Sequence, residues 1–396
     1  MSTPTPRSRR SSGTALAEVA APRRLLFVSN GHGEDSIAAE IIRRLPAGLV
    51  VDAYPTLGDG LAFAGVCPVV GPRAKLASEG SRVVRGSVGR DLAGGGLATI
   101  LPGLRFARTM RHAYDRIIVV GDMVGIFGCR LVGISGVVYL DVYKTGYGRL
   151  YSLLERRLIG RTAATVFSRS DRLATQLQAD GVDARCAGNI MMDTISYGDY
   201  DVAARRRQPL AVALLPGSRQ HTVENFALQM AALRLLPVVS RPDVFLAAAG
   251  GVDLETLATA AHLAFSPPAS AEAGDAGTLA DADLTVHVAR GAAGNLMAAA
   301  DVVLSQAGTA TIQTLGLGRP VVSFTTPRDR PSRARAESAL FGAARELVAP
   351  DPAMLAAALV RLLDDAGERA RRGASGRERI GGPGAITAII EAIVAP

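Results

Sequence analysis

Short runs of consecutive apolar residues recur along this chain, each followed by a turn and then by residues at helical spacing. Leu25–Val28, Val50–Val51, Ile117–Val120, Val137–Leu140 and Thr165–Phe167 are the runs of the first half. Leu210–Leu215, Val244–Ala248, Leu284–Val288, Val302–Ser305 and Val321–Phe324 are those of the second. A run that is apolar throughout, instead of alternating, predicts a strand covered on both faces. Strands of that kind alternating with helices predict parallel sheets of the α/β class.

The pattern also predicts where the chain divides. A polar stretch from Tyr197 to Gln208, with Arg205, Arg206 and Arg207, separates the two series. The expected organisation is a flexible tail over 1–23, a Rossmann-like domain over 24–196, a second over 209–383 and a C-terminal helix over 384–396. Residues 267–282, rich in Ala, Gly, Pro, Ser and Asp, predict an exposed loop. Ligands of open α/β sheets bind beyond the carboxyl ends of the strands. Two such sheets facing each other predict a central cleft with the site inside it.

Composition narrows the partners. The 396 residues suit two domains, and 48% hydrophobic residues supply two cores. Only 5% are aromatic and none is Trp, which argues against a stacking platform for single-stranded nucleic acid. Half of the net charge of +8 lies in residues 1–24, where Arg7, Arg9, Arg10, Arg23 and Arg24 oppose only Glu18. The mildly basic remainder suits an anionic ligand or an anionic membrane surface, with nucleic acid not expected. Cys67, Cys129 and Cys186 lack C-x-x-C spacing, so neither a disulfide framework nor a metal site is expected. No apolar window approaches the roughly 20 residues of a spanning helix, and the Arg- and Ser-rich start lacks an apolar core segment. The expected location is cytoplasmic, with peripheral contact at the inner face of the membrane. The stretch Leu104–Arg116 bears on that contact: Arg105, Arg108, Arg111 and His112 share one helical face, and Phe106, Met110 and Tyr114 the other.

Candidate chemistry gathers at strand ends. Asn30-Gly31-His32-Gly33-Glu34-Asp35-Ser36 follows the first strand and precedes a helix expected at Ile37–Arg44. Its glycines permit close approach of a ligand, His32 is a candidate base, and Asp35 or Ser36 suits the helix cap. The spacing approaches G-x-G-x-x-G, with Ser36 at the third glycine and Asp52 at the distance of a ribose contact. Gly121-Asp122 ends the third strand, where a carboxylate can take a proton from an attacking hydroxyl or cap the next helix. Gly217-Ser218-Arg219 closes another strand, and a guanidinium there can fork onto phosphate. Ser305 to Gln313 offers small residues, hydroxyls and backbone N–H groups that can cradle a diphosphate.

In this order, NGHGED, the GD after a strand, GNIMMD (Gly188–Asp193), LLPGSR and SQAGTATIQTLGLGRPVV, the motifs resemble the lipid-A-disaccharide synthase-related proteins over about residues 24–390. The resemblance implies a GT-B fold, two Rossmann-like domains facing a cleft. It also implies an inverting, metal-independent glycosyltransferase that moves a hexosyl group, of the N-acetylglucosamine type, from a UDP-sugar to a lipid or lipid-linked acceptor. The UDP-sugar is then a substrate, and no cofactor is expected. Ser218 and Arg219, with Gly217, would contact the diphosphate, and Gly308, Thr309, Ala310 and Thr311 would lie near the phosphates. Gln313 falls where relatives carry an acid for the donor ribose, and the backbone around His287 and Arg290 would face the uracil. Asp122 matches the suspected base, with His32 as the alternative. The chain departs from the synthase in its first glycine loop: Gly31 and His32 stand where the synthase has a glutamate, and the acids follow at Glu34 and Asp35. Asn30, Gly31, Gly33, Glu34 and Asp35 are then an acceptor-side loop of different character. A sugar-nucleotide epimerase on the same fold and a non-catalytic nucleotide-sugar binder are the competing readings. The motifs do not set the oligomeric state.

Overall fold

The computed structural model describes residues 22–73, 97–217, 221–268, 274–325 and 331–395, without the side chains of 32, 97–101 and 331–333. The tail expected at 1–23 lies outside it, save its last two residues.

The first series of runs builds β1 (Arg24–Ser29), α1 (His32–Arg43), β2 (Val50–Pro55), α2 (Leu97–Met110), β3 (Arg116–Gly121), α3 (Met123–Leu131), β4 (Val137–Asp141), α4 (Leu153–Thr162), β5 (Ala163–Phe167), α5 (Asp171–Gln178) and β6 (Asp183–Arg185). The strands form one sheet in the order β2-β1-β3-β4-β5-β6, parallel at every pairing. Leu25, Phe27, Ile118 and Val120 face one core, and Leu26, Ile117, Val119 and Tyr139 the other. Both faces are covered by helices, which is why these strands lack polar alternation.

The chain then crosses through α6 (Ile190–Asp193), capped by the Asn189 side chain. The second series follows: β7 (Ala211–Leu215), α7 (Thr222–Arg234), β8 (Asp243–Ala247), α8 (Leu254–Ala260), β9 (Ala264–Ser266), β10 (Asp275–Ala280), β11 (Thr285–Ala289), α9 (Ala293–Ala299), β12 (Val302–Ser305), α10 (Thr309–Gly316), β13 (Val321–Phe324), α11 (Pro331–Phe341), β14 (Arg345–Val348), α12 (Pro352–Asp364) and α13 (Ala366–Ile380). Its sheet runs β14-β13-β12-β7-β8-β11-β10-β9, parallel except where β9, β10 and β11 pair antiparallel at one edge. The stretch Tyr197–Gln208 lies along this sheet: Tyr200 is buried, Arg205 stacks on it and pairs with Asp275 at 2.9 Å.

The last helix, α14 (Ala385–Val394), returns to the first sheet. Ile386, Ile389 and Ile393 join the core of Leu25, Phe27 and Ile118. Arg23 and Arg116 donate to the carbonyls of Val394 (2.9 Å) and Ala392 (2.5 Å), which no helical N–H can take.

Three expectations are corrected. Helix α1 starts at His32, not Ile37, so the glycine loop is its first turn; Gly31 is the cap residue and neither Asp35 nor Ser36 fills that role. The backbone of α1 can take Gly33 into its first turn, next to the Gly31 cap, because Ile41 and Ile42 anchor the helix on β1 and β3. Residues 275–280, expected in a loop, form β10, whose single buried aliphatic, Leu279, is held by pairing with β11. The helix expected at Leu104–Arg116 ends at Met110, and Arg116 already opens β3.

Candidate active site

Strand order places the site. In the first sheet the chain leaves β1 toward β2 on one side and arrives at β3 on the other, so a crevice opens between the ends of β1 and β3. The second sheet repeats this between β7 and β12. Both crevices open into one cleft of about 2120 Å³, large enough for two substrates side by side.

Asp122 stands on the first wall. Its Oδ1 accepts from the N–H of Val124 at 2.9 Å, capping α3, and from Asn30 Nδ2 at 2.6 Å. That second bond spans two strands, because Ser29 lies beside Val120 in the sheet. Asn30 Oδ1 is buried and has no hydrogen-bond partner among the described residues. It rests against Gly121, whose φ is +150°, and a Cβ there would stand 2.0 Å from it. Only glycine leaves room for the Asn30 amide to reach Asp122.

The rest of the acceptor-side loop turns away. Among the described residues, Asn30, Gly31, Gly33, Glu34 and Asp35 are not in the cleft lining, and Asn30 reaches the site only through Asp122. Asp35 is buried beneath β1 and accepts from Ser29 Oγ at 2.5 Å. The side chain of His32 lies outside the described residues. Asp52 is tied up elsewhere, accepting from Tyr114 at 2.6 Å and facing Arg24 at 3.5 Å, which leaves no ribose contact to support a dinucleotide site.

A second carboxylate, Asp141, lines the cleft and was not among the sequence candidates. It ends β4 in register with Gly121. Burial raises its carboxyl above the usual range, against the pull of Tyr151 Oη (2.5 Å), the N–H groups of Tyr143 and Lys144 (2.9 and 3.0 Å) and the nearby Arg169. The same burial, with the Asp141 charge, raises the Tyr151 phenol. The signal was available: VVYLD ends in an acid at a strand terminus, as does the run before Asp122.

The second wall is built mainly from backbone. Gly217 turns the chain after β7 at φ +107°, and Gln306 to Thr311 follow β12. Gly308, Thr309, Ala310, Thr311 and Gln313 all line the cleft. The first-turn N–H groups of α10 have no helical acceptor and open there. Some side chains are committed inward. Thr311 Oγ1 meets Ser305 Oγ at 2.6 Å and bonds to the Ala307 carbonyl at 2.6 Å, fixing the turn. Gln313 donates to the Met191 carbonyl at 2.8 Å, tying this wall to α6. Ser218 and Arg219 lie outside the described residues.

His287 and Arg290 are not in the lining among the described residues, whereas Ala289 and Gly291 of the same stretch are. His287 stacks on Phe245 at 5.5 Å, and burial with Arg205 nearby lowers its imidazole below the usual value. Arg290 spends its guanidinium on the carbonyls of Ala249, Gly250 (2.9 Å) and Val252. It thereby shapes the turn after β8, and Ala247 to Gly250 of that turn do line the cleft.

Comparison with known proteins agrees on architecture. No family model matches the chain, and no curated protein matches it. Solved structures do: MurG of Acinetobacter baumannii at 16% identity, covering 94% of this chain and 99% of that one, with a TM-score of 0.56. The glycosyltransferase SnogD of Streptomyces nogalater matches at 18%, covering 94% and 99%, with a TM-score of 0.52. The UDP-GlcNAc 2-epimerase of Neisseria meningitidis, solved with UDP-GlcNAc bound, matches at 13%, again over 94% and 99%, with a TM-score of 0.52. Two Rossmann-like sheets facing one cleft make the fold of this chain GT-B.

Proposed function

We propose that this chain is an inverting, metal-independent glycosyltransferase that moves a hexosyl group, of the N-acetylglucosamine type, from a UDP-sugar to a lipid or lipid-linked acceptor. The observation that carries the reading is the pairing of walls: a carboxylate held at the end of β3 faces a backbone cradle at the start of α10 across one cleft. The structural neighbour from Neisseria meningitidis, a UDP-GlcNAc 2-epimerase solved with UDP-GlcNAc bound, supports the donor class.

In this reading the second wall binds the donor. The N–H groups at Gly308 to Ala310 and the guanidinium of Arg219 carry the diphosphate charge in place of a metal. The acceptor hydroxyl attacks the anomeric carbon from the first wall. A new C–O bond forms as the bond from that carbon to the diphosphate oxygen breaks, and UDP departs. Asp122 takes the hydroxyl proton, with His32 as the alternative base. Closing the cleft excludes water, which would otherwise hydrolyse the donor.

One observation favours a second reading. Asp141 places another acid in the same cleft, as an epimerase acting on the donor sugar would need. The two readings separate in one experiment. UDP and a UDP-sugar, without metal, should each raise the melting temperature, since ligand at 100 times Kd stabilises by about 2.7 kcal/mol. Transfer predicts UDP release only when a lipid acceptor is added. Conversion of the UDP-sugar without acceptor assigns the epimerase, and an NAD response without a UDP response overturns both.

A further inference from the structure

Large apolar side chains stand in solvent on one face of the first sheet. α3 turns Val124, Phe127 and Leu131 outward, 56%, 52% and 57% exposed. Their spacing puts them on one stripe. The opposite stripe of this helix, Ile126 and Cys129, is buried in the core. A surface helix ordinarily carries polar residues on its outer side, and this one is apolar on both. α4 packs beside it and adds Leu153 and Leu154, and the loop before it adds Leu150, all three exposed. Single exposed apolar residues are ordinary, whereas a patch spread over two adjacent helices marks an interaction surface.

Charge identifies the occupant. Arg130, Arg149, Arg157 and Arg161 are exposed in the same segments, and no carboxylate from 123 to 162 is exposed. On the other flank of α3, α2 exposes Arg105 and Arg108, and Arg111 is exposed just past its end. The apolar face of α2 is not available, because Phe106 and Met110 pack on the sheet, as does Tyr114 beyond the helix end. The membrane contact expected of Leu104–Arg116 therefore reduces to charge, and the apolar part comes from its neighbours. Aliphatic side chains interleaved with arginines and lacking exposed acids fit the boundary of an anionic bilayer. The patch also meets the cleft, since Val124, Tyr143 and Arg149 belong to its lining.

We propose that the outer faces of α3 and α4, flanked by the arginines of α2, dock this protein on an anionic lipid bilayer with the mouth of the cleft at the headgroups. The orientation rests on the lipid-acceptor reading above; the docking itself does not.

Flotation of the full chain with phosphatidylcholine vesicles, with and without phosphatidylglycerol, tests it. Binding is expected only with the anionic lipid and should weaken with salt. Phe127→Ser combined with Leu153→Ser and Leu154→Ser should weaken vesicle binding about tenfold or more while leaving the UDP-induced rise in melting temperature intact. Arg157→Glu with Arg161→Glu should lower binding likewise. A parent chain that ignores anionic vesicles overturns the proposal. So does a serine variant that binds as well as the parent, which would assign binding to the basic residues before 25. Unchanged vesicle binding with loss of a dimer would assign the patch to a second copy. A UDP response without vesicle binding removes only the docking surface, and vesicle binding without a UDP response removes only the donor reading.

Discussion

The carboxylate of Asp122 ends one element, starts the next and faces the cleft, so its roles need separating. Asn caps helices as well as Asp does. Asp122→Asn should therefore keep the start of α3 and leave urea stability within about 1 kcal/mol of the parent. It removes the negative charge, and kcat should fall about 100-fold or more while UDP affinity holds within a few-fold. A near-parental kcat would move the proton to His32. The same neighbourhood shows what a sequence reader can see. Gly-Asp after an apolar run is visible as a candidate, and Asp141 obeys the same rule. Asn30 is different: its amide meets Asp122 across 92 residues only because β1 and β3 are neighbours and residue 121 is glycine.

At the scale of elements, the GNIMMD motif proves to be a joint. Asp193 accepts from the N–H of Gly384 at 2.6 Å and of Ile386 at 2.8 Å, so it caps α14 from the far end of the chain. A ten-residue helix is marginal alone and needs both this cap and its isoleucines in the first core. Asp193→Ala should lower stability by about 1–2 kcal/mol, read as a drop in urea midpoint, with UDP affinity unchanged because the cradle of α10 is untouched. An unchanged midpoint would mean that burial alone holds α14. The strands buried on both faces were legible because nothing polar interrupts them. β6, β9 and β14 were not: DAR, AFS and RELV are short, carry few apolar residues and form through pairing with a neighbour. The start of α1 was misplaced for the converse reason, since burial of Ile41 and Ile42 outweighs Gly33 in its first turn.

The whole molecule turns on where its two sheets are joined. The chain passes between them at Gly188–Asp193 and again at Gly381–Gly384, and the two crossings touch. Asn189 donates its N–H to the Gly382 carbonyl at 2.8 Å and its amide to the Ile380 carbonyl at 3.1 Å. Gly188 sits at φ +111°, where a Cβ would be 2.7 Å from the Gly382 oxygen and 3.0 Å from that of Pro383. Those are backbone atoms and cannot swing aside. Gln313, donating to Met191, ties the donor-side wall to the same joint. Closing the cleft therefore has to work through this joint, while the cradle of α10 can hold UDP without it. Gly188→Ala separates the two. It should cost about 1–3 kcal/mol of stability through strain at a left-handed position. In the protein that remains folded, kcat should fall several-fold more than UDP affinity, because closure and not donor contact is impaired. Gly33→Ala is the control: that position is exposed on α1 with open space around it, so it should leave kcat unchanged and raise stability by roughly 0.5–1 kcal/mol. Equal losses of kcat and UDP affinity in Gly188→Ala would mean that the joint shapes the donor site itself, and unchanged kcat would mean that the walls meet without moving.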